Sequence, residues 1–195
     1  CDPSHREQSL LPRLQQIMSC LDPEIPLGFY ECPYPFKRLI SDDELQWCAE
    51  SGRFAFMKDT CCDTQQILKK LDAIQGTPLR LYNANTATLL DTLQAGAAGY
   101  SGVMANFHPE LYVWLYRNFA SQPETAKYLA DFLTLASFIE HKPYPVNAKY
   151  NLQLVGIGNT LMTRTRPASD LNETNRSEVR QLKELSDAIA HKLGL

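Results

Sequence analysis

The feature that most constrains the fold is a fourfold alternation of short apolar runs with longer segments of helical period. The apolar, strand-like runs are 25–30, 54–57, 79–82 and 99–104. The segments that follow them, with apolar residues spaced as on one face of a helix, are 41–48, 63–74, 86–94 and 110–119. Successive strand and helix units of this kind predict parallel strands joined by right-handed crossovers, and therefore an α/β fold.

Local signals place the helix ends. The segment 41–44, Ser-Asp-Asp-Glu, matches a capping box, and Gly76 follows the helical segment 63–74 where a helix would stop. A further helix is predicted at about 8–20, before the first strand. After residue 120 the pattern changes to helices alone, which are predicted at 123–141, 147–156 and 177–193.

Composition excludes several classes of partner. With 195 residues, of which 44% are hydrophobic, the chain can build a sizeable core. The formal charge of −3 comes from interspersed acids and bases, so we expect neither nucleic acid nor a membrane surface as a partner. No apolar run approaches the length of about 20 residues that a membrane helix needs, and no signal peptide is recognised. The expected compartment is the cytoplasm.

The six cysteines are predicted to be free thiols. Cys1, Cys20, Cys32, Cys48, Cys61 and Cys62 form no CxxC pair and no Cys/His ligand spacing. Adjacent cysteines such as Cys61 and Cys62 seldom share a disulfide, and a pair of small residues that opens a helix is the simpler interpretation. No metal site is expected.

The carboxyl ends of parallel strands are where functional residues of such folds gather. In this chain those ends are 30–32 (Tyr-Glu-Cys), 58–60 (Lys-Asp-Thr), 83–85 (Asn-Ala-Asn) and 105–107 (Ala-Asn-Phe). Catalytic and substrate-binding residues are therefore expected among these twelve positions.

Lys58 ends an apolar run that is predicted to form a buried strand, and two interpretations remain open. Its ammonium can reach solvent or pair with Asp59 or Glu31. Alternatively, desolvation lowers the pKa of the amine, whose neutral form attacks a carbonyl to make a Schiff base. Tyr30 ends the preceding strand, so its hydroxyl is either a proton relay beside that amine or ordinary packing.

The other polar strand-end residues also allow two interpretations. Glu31 is either a substrate contact or a solvated loop acid. Asn83, Asn85 and Asn106 either bind substrate hydroxyls or close turns and cap helices, and the second is favoured. His108 has no partner carboxylate at useful spacing and is interpreted as a loop residue.

Three motifs together resemble a known family. They are 30–33 (Tyr-Glu-Cys-Pro), 57–60 (Met-Lys-Asp-Thr) and 96–106 (Gly-Ala-Ala-Gly-Tyr-Ser-Gly-Val-Met-Ala-Asn). In order and spacing they resemble the carboxyl-terminal half of the dihydrodipicolinate synthase/N-acetylneuraminate lyase family, from about Pro26 to the end. The resemblance implies a (β/α)8 TIM barrel of which strands 5 to 8 and the terminal helices are present, with residues 1–120 in the barrel half and 121–195 as a helical extension.

The resemblance also implies an activity. The lysine that matches Lys58 forms a Schiff base with pyruvate or another 2-oxo acid, and the tyrosine that matches Tyr30 shuttles protons. Backbone at Ser101 and Gly102 would face the 2-oxo acid, and Asn83, Asn85 and Glu31 are the further candidates for substrate binding. The implied protein is a lyase or aldolase that needs no cofactor, takes a small 2-oxo acid and an aldehyde, and forms a homo-oligomer, either a tetramer or a dimer. A dehydratase or hydratase with the same imine and a non-catalytic binding module are the alternatives.

Departures from the family pattern bear on the substrate. Pro35 replaces the arginine that holds the aldehyde's carboxylate in dihydrodipicolinate synthase, although Lys37 and Arg38 follow. The loop 84–86, Ala-Asn-Thr, lacks the acids that could hold a substrate ammonium. Synthase activity in the lysine pathway is therefore not expected. Because four strands cannot close a barrel, we expect a longer native chain or a half-barrel assembly.

Overall fold

The computed structural model describes residues 9–195. Within this range the chain forms two compact units, one ending at Ser101 and the other beginning at Gly102. The division into units follows packing and does not test the predicted separation of a barrel half, 1–120, from a helical extension, 121–195, which stays a prediction.

A parallel sheet organises the first unit, as the alternating pattern predicts. Its strands, in spatial order β1-β2-β3-β4, are Leu27–Tyr30 (β1), Phe54–Asp59 (β2), Arg80–Asn83 (β3) and Gly99–Tyr100 (β4). All three neighbouring pairs are parallel. The helices of this unit are Leu11–Cys20 (α1), Asp42–Glu50 (α2), Thr64–Ala73 (α3) and Leu89–Gln94 (α4).

Capping explains where two of these helices begin. Ser41 accepts a hydrogen bond from the Glu44 amide while the Glu44 side chain accepts one from the Ser41 amide, which confirms the capping box at α2. Asp63 caps α3 by accepting a hydrogen bond from the Gln66 amide. The predicted start of the first helix at Gln8 lies outside the described residues, and the described helix begins at Leu11.

The fourth strand is shorter than predicted. The run 99–104 pairs as a strand only at Gly99–Tyr100 and then forms a 3₁₀ helix at Val103–Asn106. The Asn106 side chain donates a hydrogen bond to the carbonyl of Val103 and closes that turn, while Met104 is fully buried. Of the apolar residues that suggested a longer strand, Met104 is therefore buried in a 3₁₀ turn and not in the sheet.

The strand β2 is buried on one face, not on both. Met57 and Asp59 are buried, whereas Phe56 is 37% exposed and Lys58 is half-buried. The prediction of a wholly buried strand was wrong because successive side chains of a strand point to opposite faces. Among the described residues, helices cover the face that carries Met57, and the face that carries Phe56 and Lys58 is more open.

The second unit is helical, as predicted. Its helices are Pro109–Asn118 (α5), Pro123–Ala136 (α6), Val146–Leu154 (α7) and Glu173–Lys192 (α8), with 3₁₀ segments at Val103–Asn106, Ser137–His141 and Ala168–Asp170. The last helix begins four residues earlier than predicted because Asn172 caps it by accepting a hydrogen bond from the Asn175 amide. None of the helices in the described range is long and apolar enough to cross a membrane.

Candidate active site

Tyr30 and Lys58 are brought together by the register of β1 and β2. The two residues are direct partners across the parallel ladder, so their side chains lie on the same face of the sheet. The Lys58 ammonium lies 4.3 Å from the centre of the Tyr30 ring, which is within the range of a cation–π contact. Tyr82 of β3 is the register partner of Lys58 on its other side. The structure thus brings an amine and a phenol together at the carboxyl ends of adjacent strands.

Glu31 and Asp59 do not supply the carboxylate for Lys58 that the sequence suggested. Each follows a residue of the Tyr30–Lys58 pair, so each points to the opposite, helix-facing side of the sheet. There Lys70 of α3 forms ion pairs with Glu31 at 2.7 Å and with Asp59 at 2.6 Å. Glu31 is only 3% exposed, so its interpretation as a solvated loop acid was wrong.

The ionised form of Lys70 is stabilised by these two partners. Burial disfavours the ammonium, but the hydrogen bonds to Asp59 and Glu31 outweigh that cost and hold the pKa of Lys70 above its ordinary value. The side chain of Lys70 is therefore positively charged at neutral pH, as the ion pairs require.

A second set of bonds ties the end of β1 to the end of β2. The Thr60 amide donates to the Glu31 carboxylate at 3.1 Å, and the Thr60 hydroxyl donates to the Glu31 carbonyl at 2.6 Å. The Glu31 amide donates to the Lys58 carbonyl, which continues the ladder beyond Tyr30. These bonds fix the backbone on which Tyr30 and Lys58 stand.

Asn83 and Asn85 organise the loop after β3. The side-chain NH₂ of Asn83 donates to the hydroxyls of Thr88 and Thr92. Its side-chain oxygen accepts a hydrogen bond from the backbone N–H of Asn85. The Asn85 side chain in turn accepts from the Thr88 amide. Asn83 is fully buried. This geometry agrees with the turn-and-cap interpretation, and direct substrate binding by either residue stays a prediction.

Ser101 lies where β4 ends. Its backbone N–H donates to the Asn83 carbonyl at 2.8 Å and so extends the β3–β4 ladder by one bond. Both Ser101 and Gly102 are half-buried, and the Gly102 carbonyl accepts a hydrogen bond from the Ala105 amide. Their predicted contact with a 2-oxo acid is not tested by these bonds.

A sequence profile described as the dihydrodipicolinate synthetase family matches residues 16–185. The chain belongs to this family. No curated protein matches the chain significantly.

Solved structures of family members share the fold. A dihydrodipicolinate synthase from Acinetobacter baumannii, solved with pyruvate, is 22% identical with a TM-score of 0.77 and is matched over 91% of this chain and 60% of its own. YagE, a prophage protein of Escherichia coli K12 that was also solved with pyruvate, is 19% identical with a TM-score of 0.76. The match covers 92% of this chain and 60% of YagE. The 4-hydroxy-tetrahydrodipicolinate synthase of Methylacidiphilum fumariolicum SolV is 19% identical with a TM-score of 0.79. The match covers 95% of this chain and 61% of that synthase.

These structures establish the fold class. The four parallel strands and their helices are the corresponding part of a dihydrodipicolinate synthase TIM barrel. The chain spans about 60% of the length of the solved relatives. The prediction of a (β/α)8 barrel represented by four strands is thereby confirmed.

Two positively charged residues, Lys37 and Arg38, lie in the loop after β1. Arg38 makes a two-pronged ion pair with Glu44, with nitrogen–oxygen distances of 2.7 and 3.0 Å. Burial opposes ionisation of Glu44, but the hydrogen bonds from Arg38, Leu10 and Ser41 lower its pKa to about 2. Lys37 is exposed. The charge of Arg38 is thus neutralised within the protein.

The thiols near the strand ends agree with the prediction of free cysteines. Cys20, Cys32, Cys48, Cys61 and Cys62 are all unpaired, and Cys1 lies outside the described residues. Burial raises the pKa of both Cys48 and Cys61 to about 12. No cluster of His, Cys, Asp and Glu in residues 9–195 could hold a metal ion.

Lys70 and Thr60 are the residues of this region that the sequence did not single out. A signal for Lys70 was present, because it lies three residues after Ile67 and four before Ile74 and so falls within the apolar stripe of α3. A charged residue on the buried face of a helix needs a partner. Thr60 was included in a quoted motif but was given no role.

Proposed function

We propose that the full-length protein is a class I, Schiff-base-forming lyase or aldolase that acts on pyruvate or another 2-oxo acid. The observation that carries the proposal is the placement of the Lys58 ammonium 4.3 Å from the Tyr30 ring at paired strand ends. Family membership and the pyruvate bound in two solved relatives support the choice of a 2-oxo acid.

Lys58 is the nucleophile in this proposal. Its neutral amine attacks the ketone carbon of the 2-oxo acid, and loss of water from the resulting carbinolamine leaves an iminium ion. The positive nitrogen then accepts the electron pair of the breaking C–C bond, which gives an enamine and an aldehyde. In the synthetic direction the enamine adds to the aldehyde, and hydrolysis releases the product and the free amine. No cofactor is required, because the protonated imine is the electron sink.

Tyr30 is the proton relay in the same scheme. Carbinolamine dehydration requires a proton for the departing hydroxide, and C–C cleavage requires removal of a proton from the hydroxyl that becomes the aldehyde. We propose that the Tyr30 hydroxyl, on the strand beside the amine, carries out both transfers. The contact between its ring and the ammonium keeps the phenol close to the reacting nitrogen.

The remaining predicted residues have supporting roles. Backbone at Ser101 and Gly102 is proposed to face the 2-oxo acid at the end of β4. Asn83 and Asn85 are proposed to shape the loop beside it, because their side chains already bond within the protein. Glu31 is proposed to act through the backbone that it holds and not by touching substrate, since its carboxylate is engaged by Lys70, Ile40 and Thr60.

The loop after β1 favours an aldehyde partner that carries no carboxylate of its own. Arg38 is committed to Glu44, and an ion pair with two hydrogen bonds is costly to break. Lys37 is the remaining cation of this loop and is exposed to solvent. We therefore propose a neutral aldehyde, and not the doubly charged substrate of the lysine pathway.

Assembly and location complete the proposal. On α5, Val113 and Tyr116 are 45% and 49% exposed, while Leu111 and Trp114 are buried. The exposed pair is compatible with a homo-oligomeric contact, either in a dimer or in a tetramer. The cytoplasm is the proposed compartment.

The proposal is tested by trapping the imine. The full-length protein is incubated with pyruvate and sodium borohydride, and its intact mass is measured. The expected result is one reduced pyruvate adduct in the wild type and in Lys69→Ala, and none in Lys58→Ala. Because Lys69 is an exposed lysine of α3, its variant controls for the loss of a positive charge. Absence of an adduct from the folded wild type with pyruvate and with longer 2-oxo acids contradicts the proposal.

Two other functions make different predictions. A dehydratase or hydratase would give the same adduct but would release water from a hydroxylated 2-oxo acid without producing an aldehyde. A binding module would show reversible affinity for the 2-oxo acid and no adduct. Assaying aldehyde release beside trapping therefore separates the three.

A further inference from the structure

One buried lysine joins the residues that follow Tyr30 and Lys58. Lys70 contacts Glu31 at 2.7 Å and Asp59 at 2.6 Å, so its single ammonium bridges the ends of β1 and β2. The three residues are at most 5% exposed. Side-chain alternation places them on the helix-facing side of the sheet, directly behind the face that carries Tyr30 and Lys58.

The hydrogen bonds around this ion triad reach the backbone of both strand ends. The Glu31 carboxylate also accepts from the amides of Ile40 at 3.0 Å and Thr60 at 3.1 Å. The Asp59 carboxylate accepts from the Cys61 amide at 2.9 Å. All four carboxylate oxygens therefore have a donor, which is the condition for a buried ion cluster to persist.

Stability alone is a poor reason for this arrangement. When every member of a buried ion cluster is replaced by an apolar residue of similar volume, stability is often unchanged or increased, so packing alone does not require charges at these positions. An ammonium differs in that it attracts two carboxylates to one point and offsets their mutual repulsion. Without it, Glu31 and Asp59 would place like charges on adjacent strands, one residue beyond the reactive pair.

We propose that Lys70 is a positioning residue, which holds the ends of β1 and β2 in the register that sets the Lys58 amine against Tyr30. The inference deepens the proposed function and rests on it for its effect on rate. Lys70 touches no substrate in this account. It acts through Glu31 and Asp59, and hence through the backbone of the two strand ends.

The kinetic test compares matched variants of the full-length protein. Lys70→Met keeps the length of the side chain and removes the charge, Lys70→Arg keeps the charge, and Lys69→Met removes a charge from the exposed side of α3. The rate of adduct formation is measured across pyruvate concentrations. We expect Lys70→Met to trap pyruvate about tenfold more slowly at saturation, because displacement of reacting groups is costly, while the half-saturating concentration changes by less than about threefold. Lys70→Arg is expected to recover most of the rate, and Lys69→Met to match the wild type.

A double-mutant cycle distinguishes positioning from general destabilisation. If Lys70 acts by placing Lys58 against Tyr30, Lys70→Met has a smaller effect in a Tyr30→Phe background than in the wild type. Equal effects in both backgrounds contradict the proposal. Asp59→Asn provides a milder variant should Lys70→Met fail to fold, because it leaves Glu31 and Lys70 as a neutral pair. The same reduction in rate is expected, in smaller degree.

Amide hydrogen exchange tests the inference without any substrate. In Lys70→Met and Asp59→Asn, exchange at the amides of Ile40, Thr60 and Cys61 is expected to accelerate about tenfold, while the amides of α4 stay as in the wild type. Acceleration throughout the unit, or at none of these amides, overturns the proposal. If the wild type traps no 2-oxo acid, the proposed function fails, and exchange still decides whether Lys70 orders the two strand ends.

Discussion

The Lys58 ammonium lies 4.3 Å from the centre of the Tyr30 ring, and the two residues are direct partners across the β1–β2 ladder. Parallel pairing makes this relationship a property of the backbone, since any two partners in register present their side chains on one face. Two residues 28 positions apart in the sequence are thus held within contact distance by the sheet itself.

Replacing Tyr30 with phenylalanine should separate proton transfer from packing. The ring and its contact with the ammonium remain, while the hydroxyl is lost. We expect imine trapping and turnover to slow by about 10²-fold with little change in stability. Tyr34→Phe is the matched control, because Tyr34 is 82% exposed in the loop that follows β1, and it should behave as the wild type. A Tyr30→Phe protein of unchanged rate would remove the relay role from this residue.

Asn83 should be the most costly asparagine of the strand ends to replace. It is fully buried, and Asn83→Ala leaves the hydroxyls of Thr88 and Thr92 without their amide donor. The expected loss is about 2 kcal/mol in the free energy of unfolding, measured in urea. Asn106→Ala removes an exposed side chain with one bond to the Val103 carbonyl and should cost less than about 0.5 kcal/mol. Equal losses would contradict this account.

His108 should make the second unit sensitive to acid. It is 1% exposed, its Nδ1 lies 3.0 Å from the Ser186 hydroxyl, and it stacks on Tyr112. Burial lowers its pKa from 6.5 to about 4. As the pH is lowered, His108 of the unfolded chain therefore binds a proton near pH 6.5, whereas His108 of the folded chain binds it only near pH 4. Stability is expected to fall across this window by up to about 3 kcal/mol and to level off below it.

His108→Gln provides the comparison for this window. The variant should lose the part of the pH dependence between 6.5 and 4 that belongs to this imidazole. His191→Gln, at an exposed position of α8, should retain the dependence of the wild type. The measurement is unfolding in denaturant at a series of pH values. Identical pH profiles for the wild type and His108→Gln would show that burial of His108 has no energetic effect.

The cysteines should divide into two classes by reactivity. Burial raises the pKa of Cys48 and Cys61 to about 12, so almost no thiolate forms there near neutral pH. Cys32 and Cys62 are exposed. Brief treatment with iodoacetamide at pH 8 followed by peptide mass spectrometry should find Cys32 and Cys62 alkylated, and Cys48 and Cys61 intact. Equal labelling of Cys61 and Cys62 would contradict the environment described for Cys61.

The sequence predicted the elements of the first unit because each carries a local signal. The capping box at 41–44, the apolar stripe of 63–74 and the glycine that follows it all reflect interactions between near neighbours in the chain. The pairing of Tyr30 with Lys58 followed from strand order alone. The short β4 was missed, because an apolar run does not reveal whether it extends a strand or turns to bury Met104 in another unit.

The ion triad of Lys70, Glu31 and Asp59 was not predicted from the sequence, for a different reason. The assignment of Glu31 and Asp59 as partners for Lys58 used closeness along the chain, but neighbouring strand residues point to opposite faces. Their true partner, Lys70, comes from α3 and meets them only through the packing of helix on sheet. Pairing of buried charges across elements depends on tertiary geometry, which one sequence does not supply.

The central claim is that the Lys58 amine forms an imine with a 2-oxo acid. The most direct measurement is peptide mapping of the wild-type protein after reduction with borohydride in the presence of pyruvate. The account predicts one modified peptide, with the adduct on Lys58 and unmodified Lys69 and Lys70. An adduct on the exposed Lys37 or Lys69, or no adduct on any lysine of the folded full-length protein, would contradict it.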